Sequence, residues 1–201
     1  MSSDIQSTFI EAAAADTDGI STAAAVGDGA SLVIGGALAS GGAVTFDQPR
    51  NITILSAGDD SGISFTVTGT DETATSATES ITGANAGTAT GSAYFTTITA
   101  IAAVGDPAGN VSAGSGTSIA APMFRGRMRL RGIYAVNTGT AGTTTFRQTS
   151  SSGAVTMQFN TVASANTTQY PDIPDDGILF AAGGYVLYTQ TTLSSITVFY
   201  S

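Results

Sequence analysis

Two adjacent acid pairs, Asp59-Asp60 and Asp175-Asp176, come closest to a catalytic constellation in this 201-residue chain. Glycosidases work with two carboxylates, one donating a proton and the other attacking or activating water. Both pairs here are flanked by glycine (Gly58 and Gly177), and their spacing fits solvated turn residues better than opposed catalytic groups. Other proton and metal chemistry lacks its side chains. Without histidine there is no imidazole triad and no imidazole ligand. Without cysteine there is no thiolate nucleophile, disulfide or thiolate metal site. All six cations are arginine, so no lysine is present for a Schiff base or a phosphate loop. Asp16-Thr17-Asp18-Gly19 has the opening of a calcium loop but lacks the ligand at the fifth position and the distal Glu. The expectation is therefore a non-catalytic protein with no catalytic, cofactor-binding or metal-ligating residues.

The strongest charge feature is Arg125, Arg127, Arg129 and Arg131. On one continuous strand, period two would put all four guanidiniums on one face, with Met128, Leu130 and Tyr134 turned to the core. Cations that close repel unless anions intervene. Three readings stand: a solvated face, bidentate pairing with carboxylates of another copy or of a partner protein, or binding of nucleic acid or an anionic glycan. The net charge of −9 counts against the last. It also disfavours anionic membrane surfaces.

Composition sets the scaffold that must hold these groups. Charged residues make up only 10% of the chain, against about 25% in an average domain. Hydrophobic residues reach 42%, in short alternating runs, which argues against disorder. Ile63, Phe65 and Val67 alternate with Ser and Thr, as do Ile52 and Ile54. Between these runs the Ala57–Gly62 cluster reads as a hairpin connection. Val155, Met157 and Phe159 repeat the period, and so do Ile196, Val198 and Tyr200. The expected fold is all-β: two small β-sandwich domains joined by a Gly/Ser/Ala-rich linker, with a short N-terminal arm. The arm covers 1–20, the first domain 21–114, the linker 115–122 and the second domain 123–201.

Within the arm, Ile5 and Phe9 at spacing four predict a short helix over residues 2–15, capped by Ser2 or Ser3. The N-terminus has no cationic region of a secretory signal. The longest apolar run, near Leu32–Ala39, is broken by Gly35 and Gly36 and falls short of the roughly 20 residues a bilayer span needs.

The stretch NITILSAGDDSGISFTVTGTDETATSATESITGANAGTATGSAYFTTITAI, from Asn51, resembles a module of virion structural proteins of tailed bacteriophages, marine ones especially. LRGIYAVNTGTAGTTTF and GILFAAGGYVLYTQTTLSSITVFYS, in the second half, are similar to a compact C-terminal β-domain of the same class. Together they cover a little under half of the chain. The resemblance implies a particle component on the capsid surface, made in the host cytoplasm: a head decoration protein, or alternatively a tail fibre or receptor-binding component. It implies a homotrimer, with the major capsid protein or another virion protein as partner, and neither nucleic acid nor membrane. The expected docking residues are Ile5, Phe9 and Ile10 of the arm with Arg125, Arg127, Arg129 and Arg131. The adhesion alternative predicts an exposed cluster of Tyr170, Tyr185 and Tyr188 holding a glycan.

Overall fold

The computed structural model describes residues 4–163 and 167–201. The proposed helix caps Ser2 and Ser3 lie outside them. In chain order the strands are β1 (Gln6–Ile10), β2 (Ser21–Ala25), β3 (Ala39–Ser40), β4 (Ala43–Ser56), β5 (Ser64–Asp71), β6 (Ser76–Thr82), β7 (Thr88–Thr90) and β8 (Phe95–Val104). They continue as β9 (Asn110–Phe124), β10 (Met128–Asn137), β11 (Gly142–Gln148), β12 (Val155–Thr161), β13 (Thr168–Gln169), β14 (Ile178–Phe180), β15 (Gly184–Thr189) and β16 (Leu193–Tyr200). The protein is all-β, its strands antiparallel and its fold sandwich-like; no helix occurs among the described residues.

Two compact units divide the chain. One comprises Met1–Ala13 with Ser118–Ser201, the other Ala14–Thr117. In the split unit, the order β1-β16-β10-β13 forms one layer, with β14 also on β10. The order β12-β11-β15 and the second half of β9 forms the other. Ile10, Leu130, Phe146, Phe180, Val186 and Ile196 fill the core of this unit. In the contiguous unit the order runs from the first half of β9 through β4, β8 and β5 to β6. Ile52, Phe65, Phe95, Ile98, Ile101 and Val111 fill that core.

Three expectations change. The N-terminal segment is a strand: β1 pairs with β16 from Gln6↔Tyr200 to Ile10↔Ile196. Spacing four is an even number, so it fits a strand face as well as a helix face. The segment 115–122 is no loose linker but lies inside β9, with Ser115 buried. Its glycines answer to packing: a Cβ on Gly116 would lie 2.3 Å from Asn51 Oδ1. Finally, β4 and β5 do not form a hairpin, because β8 lies between them. Pro49 falls where the β4–β8 register shifts, the one kind of place a paired strand tolerates it.

The true hairpin here is β5–β6, closed by Asp71–Thr75. The Asp71 carboxylate accepts hydrogen bonds from the Thr73 N–H (2.8 Å), the Thr73 hydroxyl (2.7 Å) and the Thr75 N–H (2.9 Å). Partial burial pushes its pKa up, but the bonds from Thr75 and Thr73 outweigh that and hold it below the ordinary 3.8. A depressed native pKa stabilises the fold above the unfolded-state value, and that contribution is lost as pH falls through the native one. Asp71→Asn should therefore lower the unfolding midpoint near neutrality, with the gap to wild type closing on acidification below about pH 4. Denaturant melts at several pH values measure this.

Candidate interaction surface

The four arginines do not share a strand face. The chain bends at Arg125-Gly126-Arg127, and β10 begins at Met128. Only Arg129 and Arg131 stand together on β10, while Met128 and Leu130 enter the core as expected. Both are held by the Pro174–Gly177 turn. Arg129 Nη1 donates to the Asp176 carbonyl at 2.9 Å and Arg131 Nη1 to the Asp175 carbonyl at 2.8 Å. Arg131 Nε donates to Ser201 Oγ at 2.9 Å. The bend and these carbonyls relieve the repulsion a single row would have. Arg125 and Arg127 are exposed in the bend. Arg127→Gln should leave stability within about 0.5 kcal/mol of wild type. Arg131→Ala should cost about 1 kcal/mol and expose the turn to proteolysis, which denaturant melts and limited digestion can read. A further arginine, Arg50, is buried, 2.9 Å from Asp47 and 5.5 Å from the Phe46 ring centre, and serves the fold.

The acid pairs do not converge on a site. Asp59 is exposed, and the hydroxyl and N–H of Ser61 hold its carboxyl below the usual carboxylate range. Asp60 points the other way: it is 0% exposed and accepts the Ala108 N–H on Oδ1 at 2.7 Å. Asp175 and Asp176 are exposed in the turn that Arg129 and Arg131 hold. The Asp16–Gly19 segment is a packed turn. A Cβ on Gly114 would sit 2.0 Å from the Asp16 carbonyl, and one on Gly36 would sit 2.4 Å from that of Asp18.

The expected tyrosine cluster does not form either. Tyr185 and Tyr188 are buried on β15, a central strand paired along both edges, with β11 and β9. Tyr170 alone is open, at 69% exposure, and its ring lies 5.1 Å from that of Tyr134.

The chain matches no protein-family model, no curated protein and no solved structure.

What the geometry does assemble is the outer face of the β1-β16-β10-β13 layer. Phe9 pairs with Thr197, Thr197 with Tyr134, and Tyr134 contacts Tyr170. The neighbouring row runs Ser7, Phe199, Gly132. A Cβ on Gly132 would meet the Phe199 ring at 3.4 Å, an ordinary van der Waals contact. Ile5 is exposed beyond Ser7. Phe9 is 61% exposed while its neighbour Ile10 is 1% exposed. Strand alternation thus sends Ile10 into the core, and it drops out as a docking residue. Ile5 and Phe9 remain on the surface, joined by Phe199, Tyr134 and Tyr170. Phe199 was visible in the sequence as the one aromatic on the polar side of the Ile196/Val198/Tyr200 alternation. Tyr134 was not, since period two from Leu130 assigns it to the core until the irregularity at Leu130/Gly132 shifts the register. An apolar band of this kind offers contact area and no reactive group.

Proposed function

We propose that this chain is a structural, non-catalytic component of a bacteriophage particle: a capsid decoration (cement) protein that self-associates, as a homotrimer, and binds the major capsid protein on the head surface. The observation that carries the reading is the aromatic band Phe9, Phe199, Tyr134 and Tyr170, in a chain without histidine, cysteine or lysine. It joins the resemblance of the Asn51 and Leu130 stretches to virion modules. The mechanism is mass action: area buried only in the assembled shell shifts the shell toward assembly. Arg125 and Arg127, projecting at the bend, supply polar contacts at the rim of such an interface.

The test is a copy count per particle. Hundreds of copies, with shells less heat-resistant when the protein is missing, support decoration. About a dozen copies, the stoichiometry of a tail part, point to the second reading. Turnover of host capsule or cell wall by the purified protein refutes both.

That second reading is a tail fibre or receptor-binding component. Favouring it is a shallow groove of about 390 Å³ beside Tyr170, lined by Phe159, Thr168, Gln169 and Pro171. An aromatic ring beside polar groups is a platform on which a sugar ring stacks.

A further inference from the structure

Strand β1 is the outermost strand of its layer. Its pairing with β16 is unbroken over all five residues, and no strand covers its other side among the described residues. A strand in that position presents a row of unpaired N–H and C=O groups, which is a template for another strand. Protein edges of this kind are ordinarily guarded by lysine, proline, an inward charge or a bulge. Gln6-Ser7-Thr8-Phe9-Ile10 has none of these. Instead the exposed Phe9 lies on the edge, with the exposed Ile5 just before it.

We propose that β1 is a docking edge for a second copy of this chain, which adds its own β1 antiparallel across a two-fold axis. The unpaired backbone specifies a strand as the occupant. The sequence specifies which strand, because the segment is complementary to itself in one register. Centred on Ser7, the pairing sets Ile5 of each copy opposite Phe9 of the other, both on the outer face. Aromatic and β-branched side chains directly opposite each other are favourable cross-strand partners. Centring on Thr8 puts Glu11 against Ile5, and centring on Gln6 puts Ile5 against Ser7. Any register half a step away sets outward residues opposite inward ones and turns one apolar set to the wrong face. In the Ser7 register, the row Phe9, Thr197, Tyr134, Tyr170 continues across the axis through Ile5 of the second copy.

Five residues a side is a small interface, so association is concentration-dependent. The inference needs only the sheet edge and stands whether or not the particle reading does. A threefold contact elsewhere would leave it intact, since the pairing joins copies two by two.

The purified full chain tests it. In sedimentation velocity from about 10 μM to about 1 mM, the average mass should rise above that of the 19.9 kDa monomer. Phe9→Lys should shift that rise to at least tenfold higher concentration with an unchanged thermal melt, since Phe9 is on the surface. The native chain has no cysteine, so single cysteines report the register. Ser7→Cys should form a covalent dimer on mild oxidation, because residues directly opposite are within disulfide reach. Phe9→Cys should cross-link far more slowly, its two copies lying four residues, about 13 Å, apart along the strands. A constant mass over the whole range, or Ser7→Cys and Phe9→Cys cross-linking at equal rates, overturns the proposal.

Discussion

Gly58→Ala should destabilise the contiguous unit by about 3 kcal/mol or more, although the change adds a single methyl group. A Cβ at this position would fall 1.6 Å from the Ala108 carbonyl oxygen and 2.6 Å from its carbon. Both are backbone atoms and cannot swing aside. The segment around Ala108 must then retreat, and it carries the N–H that Asp60 accepts at 2.7 Å. The Asp60 side chain is wholly buried, so losing that donor leaves a buried polar group short of a partner. Urea unfolding of wild type and Gly58→Ala measures the loss. A change under 1 kcal/mol would mean that the loop adjusts freely and that the Asp60 bond contributes little. Asp60→Asn separates the two effects, since it leaves Gly58 in place and changes only the Asp60 side of that bond.

Phe146→Ala should cost the split unit about 3–5 kcal/mol. Phe146 is fully buried on β11, paired on one side with Met157 and on the other with Val186. Its ring lies 6.1 Å from that of Phe159. With strands fixed on both sides, the hole left by the ring cannot collapse. For a unit of this size the thermal midpoint should fall by roughly 15 °C or more. Val155→Ala, on the exposed end of neighbouring β12, should change stability by less than about 0.5 kcal/mol and serves as the control.

Period-two alternation made the strands legible and left their neighbours obscure. Phe65 and Val67 are buried as their spacing from Ile63 implied, and Ile196, Val198 and Tyr200 turn inward together. Alternation says which face a residue takes but not which strand lies beside it. The Ala57–Gly62 cluster therefore looked like a hairpin when it is a crossing over β8. At the N-terminus the deciding signal was the pair Ile10 and Ala12, two apart and both buried, rather than Ile5 and Phe9, four apart and both outside. In β9 small residues looked like flexibility. They are there because the Asp16 carbonyl and the Asn51 side chain come too close for anything larger. The arginines misled in the same way: spacing two holds only while the strand continues, and Gly126 sits in the bend that ends it.

The pairing of β1 with β16 also sets an order of events during synthesis. Ala14–Thr117 is contiguous and has all its own partners once it leaves the ribosome. Residues 6–10 must wait for Leu193–Tyr200, made long after them, before they gain a neighbour. Until then Phe9 and Ile10 lack their strand partner, open to holdase chaperones and to the nascent chains of adjacent ribosomes on the same message. Loss of Leu193–Tyr200 would leave residues 6–10 without their partner as well.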